Sequence, residues 1–200
     1  MVWTVRVYFK KIINYFFYSP LGDGGFIMKK IVAFAGSNSS RSINGQLINF
    51  TLDNFKNFEV EFLDLNDFEM PIFSIDREKK DGVPQSAVDF RKKLHEADGI
   101  IISVAEHNWT ITVAMKNLLD WCSRVDMNIF DNKPMLLMSV SISRVGGARA
   151  MGYMLTTKEK FNMNVVEIFS LPSFNHTFAE GRITDEELNG ELKEKIGVFI

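Results

Sequence analysis

From Met28 onward, short apolar runs rich in β-branched residues alternate with longer stretches whose apolar residues recur every three or four positions. Such alternation marks βαβ units around a parallel sheet. Five runs read as strands: Ile31 to Ala35, Val60 to Leu65, Gly99 to Val104, Met135 to Val140 and Val165 to Phe169. Several are almost continuously apolar, as expected of strands covered by helices on both faces. The second alternates more and is expected at an edge.

Between the strands, helical period places Leu47, Ile48, Thr51, Leu52 and Phe55 on one face of a first helix, and a second is expected from Pro84 to Ala97. A third carries Met115, Leu118, Leu119, Cys122 and Val125 as an apolar stripe, with Lys116, Asn117 and Asp120 pointing away. Cys122 therefore reads as core, since nothing local supplies positive charge to stabilise a thiolate. A fourth helix is expected from Gly147 to about Phe161. The last opens on Thr184-Asp185-Glu186-Glu187, in which Thr184 and Glu187 form a capping box ahead of Leu188, Leu192, Ile196 and Phe199. The pattern predicts an α/β doubly wound sheet, whose chemistry sits beyond the carboxyl ends of the strands, where chain direction reverses. The informative loops are thus those after strands one, three and four.

Length, charge and the first residues narrow the picture. Two hundred residues without a Pro-rich, Ser-rich or charged linker fit one domain. A net charge of -2 with no Lys/Arg run argues against nucleic acid as a partner. The single cysteine suits a reducing compartment, so a cytoplasmic location is expected. His95, His107 and His176 are scattered and make no metal-ligand pattern. In Met1 to Ile27, aromatics are divided by Arg6, Lys10 and Lys11, and the run Ile12 to Tyr18 falls far short of the roughly 20 residues of a spanning helix. No small-residue cleavage site follows that run. Residues 1–27 read as a poorly ordered extension or an upstream start, in preference to an interfacial anchor, and residues 28–200 as the domain.

The loop after strand one, Gly36-Ser37-Asn38-Ser39-Ser40-Arg41-Ser42-Ile43-Asn44, leads straight into a helix. Unpaired helix amides, the helix dipole and hydroxyls from Ser37, Ser39 and Ser42 suit a phosphate, and Arg41 can neutralise part of its charge. The same loop is also compatible with Ser42 as a mere helix cap in a polar turn. It is neither a P-loop nor the glycine fingerprint of dinucleotide-binding folds. After strand three, Ala105-Glu106-His107-Asn108-Trp109-Thr110 offers backbone amides and a flat neighbour to a planar heterocycle. After strand four, Ser141-Ile142-Ser143-Arg144-Val145-Gly146-Gly147 carries two glycines that permit close backbone approach, to a ligand or to another element.

Together these three loops resemble the NADPH-dependent FMN reductases, a flavodoxin-like family that includes quinone, azo-dye and chromate reductases. Its Gly-Ser-x-Arg-x-x-Ser-x-Asn phosphate loop is matched by Gly36, Ser37, Ser42 and Asn44, with Ser39 in place of the arginine and Arg41 displaced by two. Its Pro-Glu-Tyr-Asn loop and following Leu-Lys-Asn-x-x-Asp-Trp correspond to Ala105 through Asn108 and Met115 through Trp121. Its glycine-pair loop corresponds to Gly146-Gly147-Ala148-Arg149-Ala150. The resemblance covers essentially Met28 to the C-terminus. It implies a five-stranded parallel sheet of order 2-1-3-4-5 with helices on both faces. It further implies bound FMN contacted by Ser37, Ser39, Arg41, Ser42, Asn44, Glu106, His107, Asn108, Thr110, Ser141, Ser143 and Gly146.

The implied activity passes hydride from NADPH or NADH through FMN N5 to a small acceptor such as a quinone, azo dye, chromate or free flavin. Because the chemistry lies on the flavin, no catalytic side chain is named. One open ring face serving donor and acceptor in turn implies ping-pong kinetics, and the resemblance implies a homodimer or homotetramer. The alternative is a flavodoxin-type FMN carrier without NAD(P)H oxidase activity, whose loop would ordinarily read Thr/Ser-x-Thr-Gly-x-Thr. A flavin-free α/β interaction protein would leave all three motifs without a purpose.

Overall fold

The computed structural model describes residues 18–20 and 26–200. At its start β1 (Tyr18–Pro20) and β2 (Phe26–Met28) pair antiparallel in a sheet of their own. The expected disorder of the first 27 residues otherwise falls outside the described residues.

The main sheet contains β3 (Lys30–Gly36), β4 (Glu59–Leu63), β5 (Gly99–Val104), β8 (Pro134–Val140) and β9 (Asn164–Leu171). All its neighbours are parallel, in the order β4-β3-β5-β8-β9. Counted by the sheet's own strands this is 2-1-3-4-5, with the alternating second run at an edge as its pattern requires. The short runs buried in the middle are the most apolar: every residue of β5 is buried, whereas β4 buries Leu63 alone. Between β8 and β9 the register shifts near Met135 and Leu136, and β9 runs on as far as Leu171.

Strand alternation sends successive side chains to opposite layers. Ile31, Ala33 and Ala35 of β3 face α1 (Ile43–Leu52) and α7 (Glu186–Phe199), together with Leu47, Ile48, Leu192, Ile196 and Phe199. Val32 and Phe34 face the layer formed by α3 (Gln85–Glu96), α4 (Val113–Val125) and α5 (Ala148–Thr156). There the edge of Phe90 meets Phe34 at 5.1 Å and Phe68 at 5.0 Å between ring centroids. These paired rings bury large apolar areas in a geometry their quadrupoles favour.

Several boundaries depart from the sequence pattern for identifiable reasons. Leu65 belongs to a 3-10 turn (Leu65–Phe68) rather than to β4, because the Asp64 side chain accepts from Asn66 N and turns the chain. Phe55 is buried but lies beyond the end of α1. Val125 ends α4 partly exposed, and α5 stops at Thr156, short of Phe161. The capping box expected at Thr184 does not form: Asp185 caps α7, its Oδ1 accepting from Leu188 N at 3.0 Å. The sequence pattern gave no sign of α2 (Ile75–Asp81), which buries no residue and so has no apolar period to detect. Short hairpins, β6 (Glu106–His107) with β7 (Thr110–Ile111) and β10 (Phe178–Ala179) with β11 (Arg182–Ile183), and the single-turn α6 (Phe174–Thr177) complete the chain.

Cys122 sits in the core as its stripe position predicts, with its Sγ near the Ala87 carbonyl. Burial pushes its thiol up to about 12, and the nearby Arg91 offsets only part of that shift. At pH 8 the native protein is therefore expected to resist iodoacetamide, and the urea-unfolded chain to be alkylated fully; mass spectrometry of the intact protein reads both.

Candidate functional site

Three loops leave the carboxyl ends of adjacent strands β3, β5 and β8, and buried polar side chains brace them against one another. Asn44, 3% exposed in the first turn of α1, accepts through Oδ1 from Ser103 Oγ of β5 at 2.7 Å and from Val140 N of β8 at 3.2 Å. Thr112 caps α4 and donates its hydroxyl to Gly36 O at 2.8 Å, joining the end of the second loop to the start of the first. Glu106 Oε2 accepts from Arg149 N at 3.0 Å and Ala150 N at 3.2 Å, joining the second loop to the helix after the third. Ser139 and Ser170 hydroxyls both donate to Gly146 O. The Asn44, Thr112 and Ser139 bonds satisfy groups that burial would otherwise penalise.

The first loop is built to receive an anion. Ser42 caps α1, its Oγ accepting from Gly45 N at 3.2 Å. Ser37 and Ser39 hydroxyls accept from the amides two residues on, which bends the loop and leaves their own hydrogens free to donate. The amides of Ile43 and Asn44 donate to no atom of the described residues, as expected of a helix start. Arg41 is exposed and makes no ion pair among the described residues. Ser37, Ser39, Ser40, Arg41 and Ser42 line a shallow cleft of about 180 Å³. Asp64 also lines it, its Oδ1 accepting from Asn66 N and Nδ2. The donor set fits a phosphate dianion.

A larger cleft of about 380 Å³ adjoins this loop, lined by Asn38, Leu65, Phe68, Met70, His107 and Asn117 among others. Its size lies in the range of small-molecule sites. One wall is the segment after β4, held by α4: Asn117 Nδ2 donates to Met70 O and Pro71 O, its Oδ1 accepts from Phe73 N at 2.8 Å, and Trp121 Nε1 donates to Pro71 O at 2.7 Å. Asn117, expected to point away, is thus half-buried and structural. The Lys-Asn-x-x-Asp-Trp spacing puts Asn and Trp one turn apart, where both reach the same segment.

The expected contact residues therefore separate. Ser37, Ser39, Arg41 and Ser42 share the smaller cleft, and His107 lines the larger. Asn44 and the Glu106 carboxylate are occupied within the protein. Ser141 and Ser143 bond each other at 2.7 Å, and Gly146, buried, lies beneath them against β9. The Gly146-Gly147 pair approaches the strand ends: both have positive φ, and a Cβ on Gly146 would stand 2.1 Å from Ser170 Oγ. Asn108 and Thr110 are exposed in the β6–β7 hairpin, lining neither cleft. Ser103, Ser139 and Ser170 belong to no motif that marks them in the sequence. The signal for the first two was a lone polar residue inside an apolar central run, which must be hydrogen-bonded there.

Among the described residues no cluster of His, Cys, Asp or Glu could hold a metal ion, and no helix is long and apolar enough to cross a membrane. A doubly wound parallel sheet of this order, with an anion-ready helix start at its switch point, defines a flavodoxin-like α/β protein. The family model for NADPH-dependent FMN reductase matches residues 29–176, and the chain belongs to that family. It is an oxidoreductase of a family that works with FMN and a reduced nicotinamide nucleotide. This sets aside both the electron carrier and the flavin-free interaction protein.

Among characterised relatives, the chain is 25% identical over 182 residues to a quinone reductase of Escherichia coli (strain K12), covering 86% of this chain and 95% of that protein. It is 29% identical over 177 residues to the NAD(P)H:quinone oxidoreductase of Solanum tuberosum, covering 82% and 87%. It is 30% identical over 178 residues to the NADH:(hydroxy)cinnamate reductase subunit CrdA of Vibrio ruber, covering 84% of each. In fold it resembles the NAD(P)H:(acceptor) oxidoreductase FerB of Paracoccus denitrificans, with a TM-score of 0.67 at 20% identity, covering 86% of this chain and 97% of that one.

Proposed function

We propose that the protein is an FMN-dependent NAD(P)H oxidoreductase that reduces a small acceptor, such as a quinone, azo dye, chromate or free flavin, by a ping-pong mechanism. The observation that carries this is the start of α1: two amides without a partner among the described residues, surrounded by serine hydroxyls and by Arg41, which makes no ion pair among those residues, at the sheet's switch point. When bound, FMN would supply the redox chemistry, accepting hydride from the nicotinamide and passing reducing equivalents to the acceptor. Ser37, Ser39, Arg41 and Ser42 hold its phosphate. The second loop, with His107, Asn108, Thr110 and the main chain of Glu106, borders its ring, and Ser141, Ser143 and Gly146 shape the third loop beside it. The Asn44, Thr112 and Glu106 bonds fix the three loops relative to one another, so binding does not have to order them. We further propose that the protein is cytoplasmic and works as a homodimer or homotetramer.

Calorimetric titration with FMN tests the site. Arg41→Ala is expected to weaken FMN uptake by about ten-fold, the usual effect of losing a charge-assisted hydrogen bond. Ser42→Ala is expected to weaken it as well while lowering stability by about 1 kcal/mol through loss of the cap. Absence of FMN uptake by the folded wild type overturns the proposal. For the mechanism, double-reciprocal plots at several acceptor concentrations should be parallel, and intersecting lines would exclude ping-pong turnover.

A further inference from the structure

The tip of the β6–β7 hairpin holds a residue that folding does not explain. Two residues, Asn108 and Trp109, join the strands, with φ of 49° and 71°. Positive φ at both central positions is the geometry of a type I′ turn, whose second place ordinarily belongs to glycine. A side chain there meets the left-handed backbone's steric penalty. Tryptophan incurs it without burial in return, being 72% exposed. Its ring partner among the described residues is Arg149, whose guanidinium lies 4.5 Å from the ring centroid.

Arg149 is held in place from the other side. Its amide donates to Glu106 Oε2, which ties the first turn of α5 to the hairpin. Its guanidinium makes no ion pair with a described carboxylate. The result is an exposed surface that combines an indole face with a weakly hydrated, delocalised cation, at the carboxyl edge of the sheet between the second and third loops. A strained, exposed aromatic two residues from His107, which lines the larger cleft, points to use by a ligand.

We propose that Trp109 and Arg149 select the acceptor: they favour planar aromatic acceptors bearing a carboxylate or sulfonate over neutral acceptors of the same shape. The ring stacks on the indole while the guanidinium fork takes the anionic substituent. Trp109 also positions Arg149, whose guanidinium lies over its ring. The inference rests on the reductase reading above and adds its substrate class.

The test uses FMN-loaded protein and one matched pair of azo dyes, 4-(dimethylamino)azobenzene-4′-carboxylate and its methyl ester. Dissociation constants are measured without nicotinamide, and kcat/KM with NADPH. Wild type is expected to prefer the carboxylate by roughly ten-fold in both measurements, with the preference shrinking as salt rises. Arg149→Gln should bring the ratio close to one, and Trp109→Phe should retain it. Trp109→Gly should lower affinity for both dyes and the acid preference, yet raise the melting temperature, because glycine relieves the turn; a merely structural tryptophan would move both readings together.

Equal binding of acid and ester by wild type overturns the proposal, as does a ratio unmoved by Arg149→Gln. A rise in the KM for NADPH with an unchanged dye ratio also overturns it, since the pair then serves the nicotinamide donor. So does a changed elution volume on size exclusion with an unchanged ratio, since the pair then belongs to a contact between subunits. FMN uptake is titrated on the same preparations. If wild type takes up no FMN, the underlying reductase reading fails, whereas normal uptake without charge preference defeats this inference alone.

Discussion

Asn44→Leu is expected to destabilise the domain by about 2–4 kcal/mol in urea unfolding, a large effect for a substitution that keeps the branched outline of the side chain. The side chain is almost wholly buried, and its Oδ1 is the acceptor for both Ser103 Oγ and Val140 N. Leucine fills the space but removes that acceptor, leaving a buried hydroxyl and a buried backbone amide without partners. Each orphaned group costs on the order of 1–3 kcal/mol, which outweighs the small gain in helix propensity. Adding Ser103→Ala should recover part of the loss, because the hydroxyl is then no longer stranded; the Val140 amide remains unpaired, so recovery stays incomplete. A double-mutant cycle with an unchanged dependence on urea reads this coupling directly. FMN uptake should weaken in Asn44→Leu as well, since Asn44 pins the first turn of α1 to the two strands that carry the other loops. Additive effects of the two substitutions would show that the shared acceptor is not what makes the position costly.

That bond network explains which parts of the molecule the sequence reveals. Central strands are legible because burial on both faces forces continuous apolar runs such as Ile100 to Ile102, and α4 because its stripe points at one layer. The same logic fails for α2, which packs no apolar face and is set by local means, a Ser74 cap at one end and Gly82 with φ of 78° at the other. It also fails for the cap of α7, where Thr184 and Asp185 are neighbours with similar capping chemistry and only geometry chooses Asp185. At the site, the loop after β3 was readable as a polar helix start, because Ser42 has the position and the chemistry of a cap. Asn44 and Glu106 were readable as positions but not in their roles, because their partners lie in strands and helices far along the chain. The type I′ turn was not readable, since tryptophan at its second central position contradicts the usual Asn-Gly signal.

Gly146→Ala is the second substitution expected to act strongly, lowering stability by about 2–3 kcal/mol through two separable effects. The first is the backbone: with φ of 60°, an alanine here sits in the left-handed region at a cost of roughly 1–2 kcal/mol. The second is space. The new methyl would stand 2.1 Å from Ser170 Oγ and 3.3 Å from Pro172 N, so the serine hydroxyl must swing away. Swinging away breaks its 3.0 Å hydrogen bond to Gly146 O, a loss of about 1 kcal/mol. Gly146 O keeps the Ser139 hydroxyl, which limits the damage to that carbonyl. In a Ser170→Ala background, which already lacks both the obstructing oxygen and its bond to Gly146 O, Gly146→Ala should cost the backbone part only. That loss, measured by urea unfolding, then isolates the backbone penalty. No loss in that background would mean that the third loop tolerates a side chain at φ of 60° and that its glycine serves clearance from β9 alone. The same loop carries Ser141 and Ser143 at the edge of the proposed flavin site, so a relaxed turn should weaken FMN uptake in proportion to the backbone part and not to the spatial part.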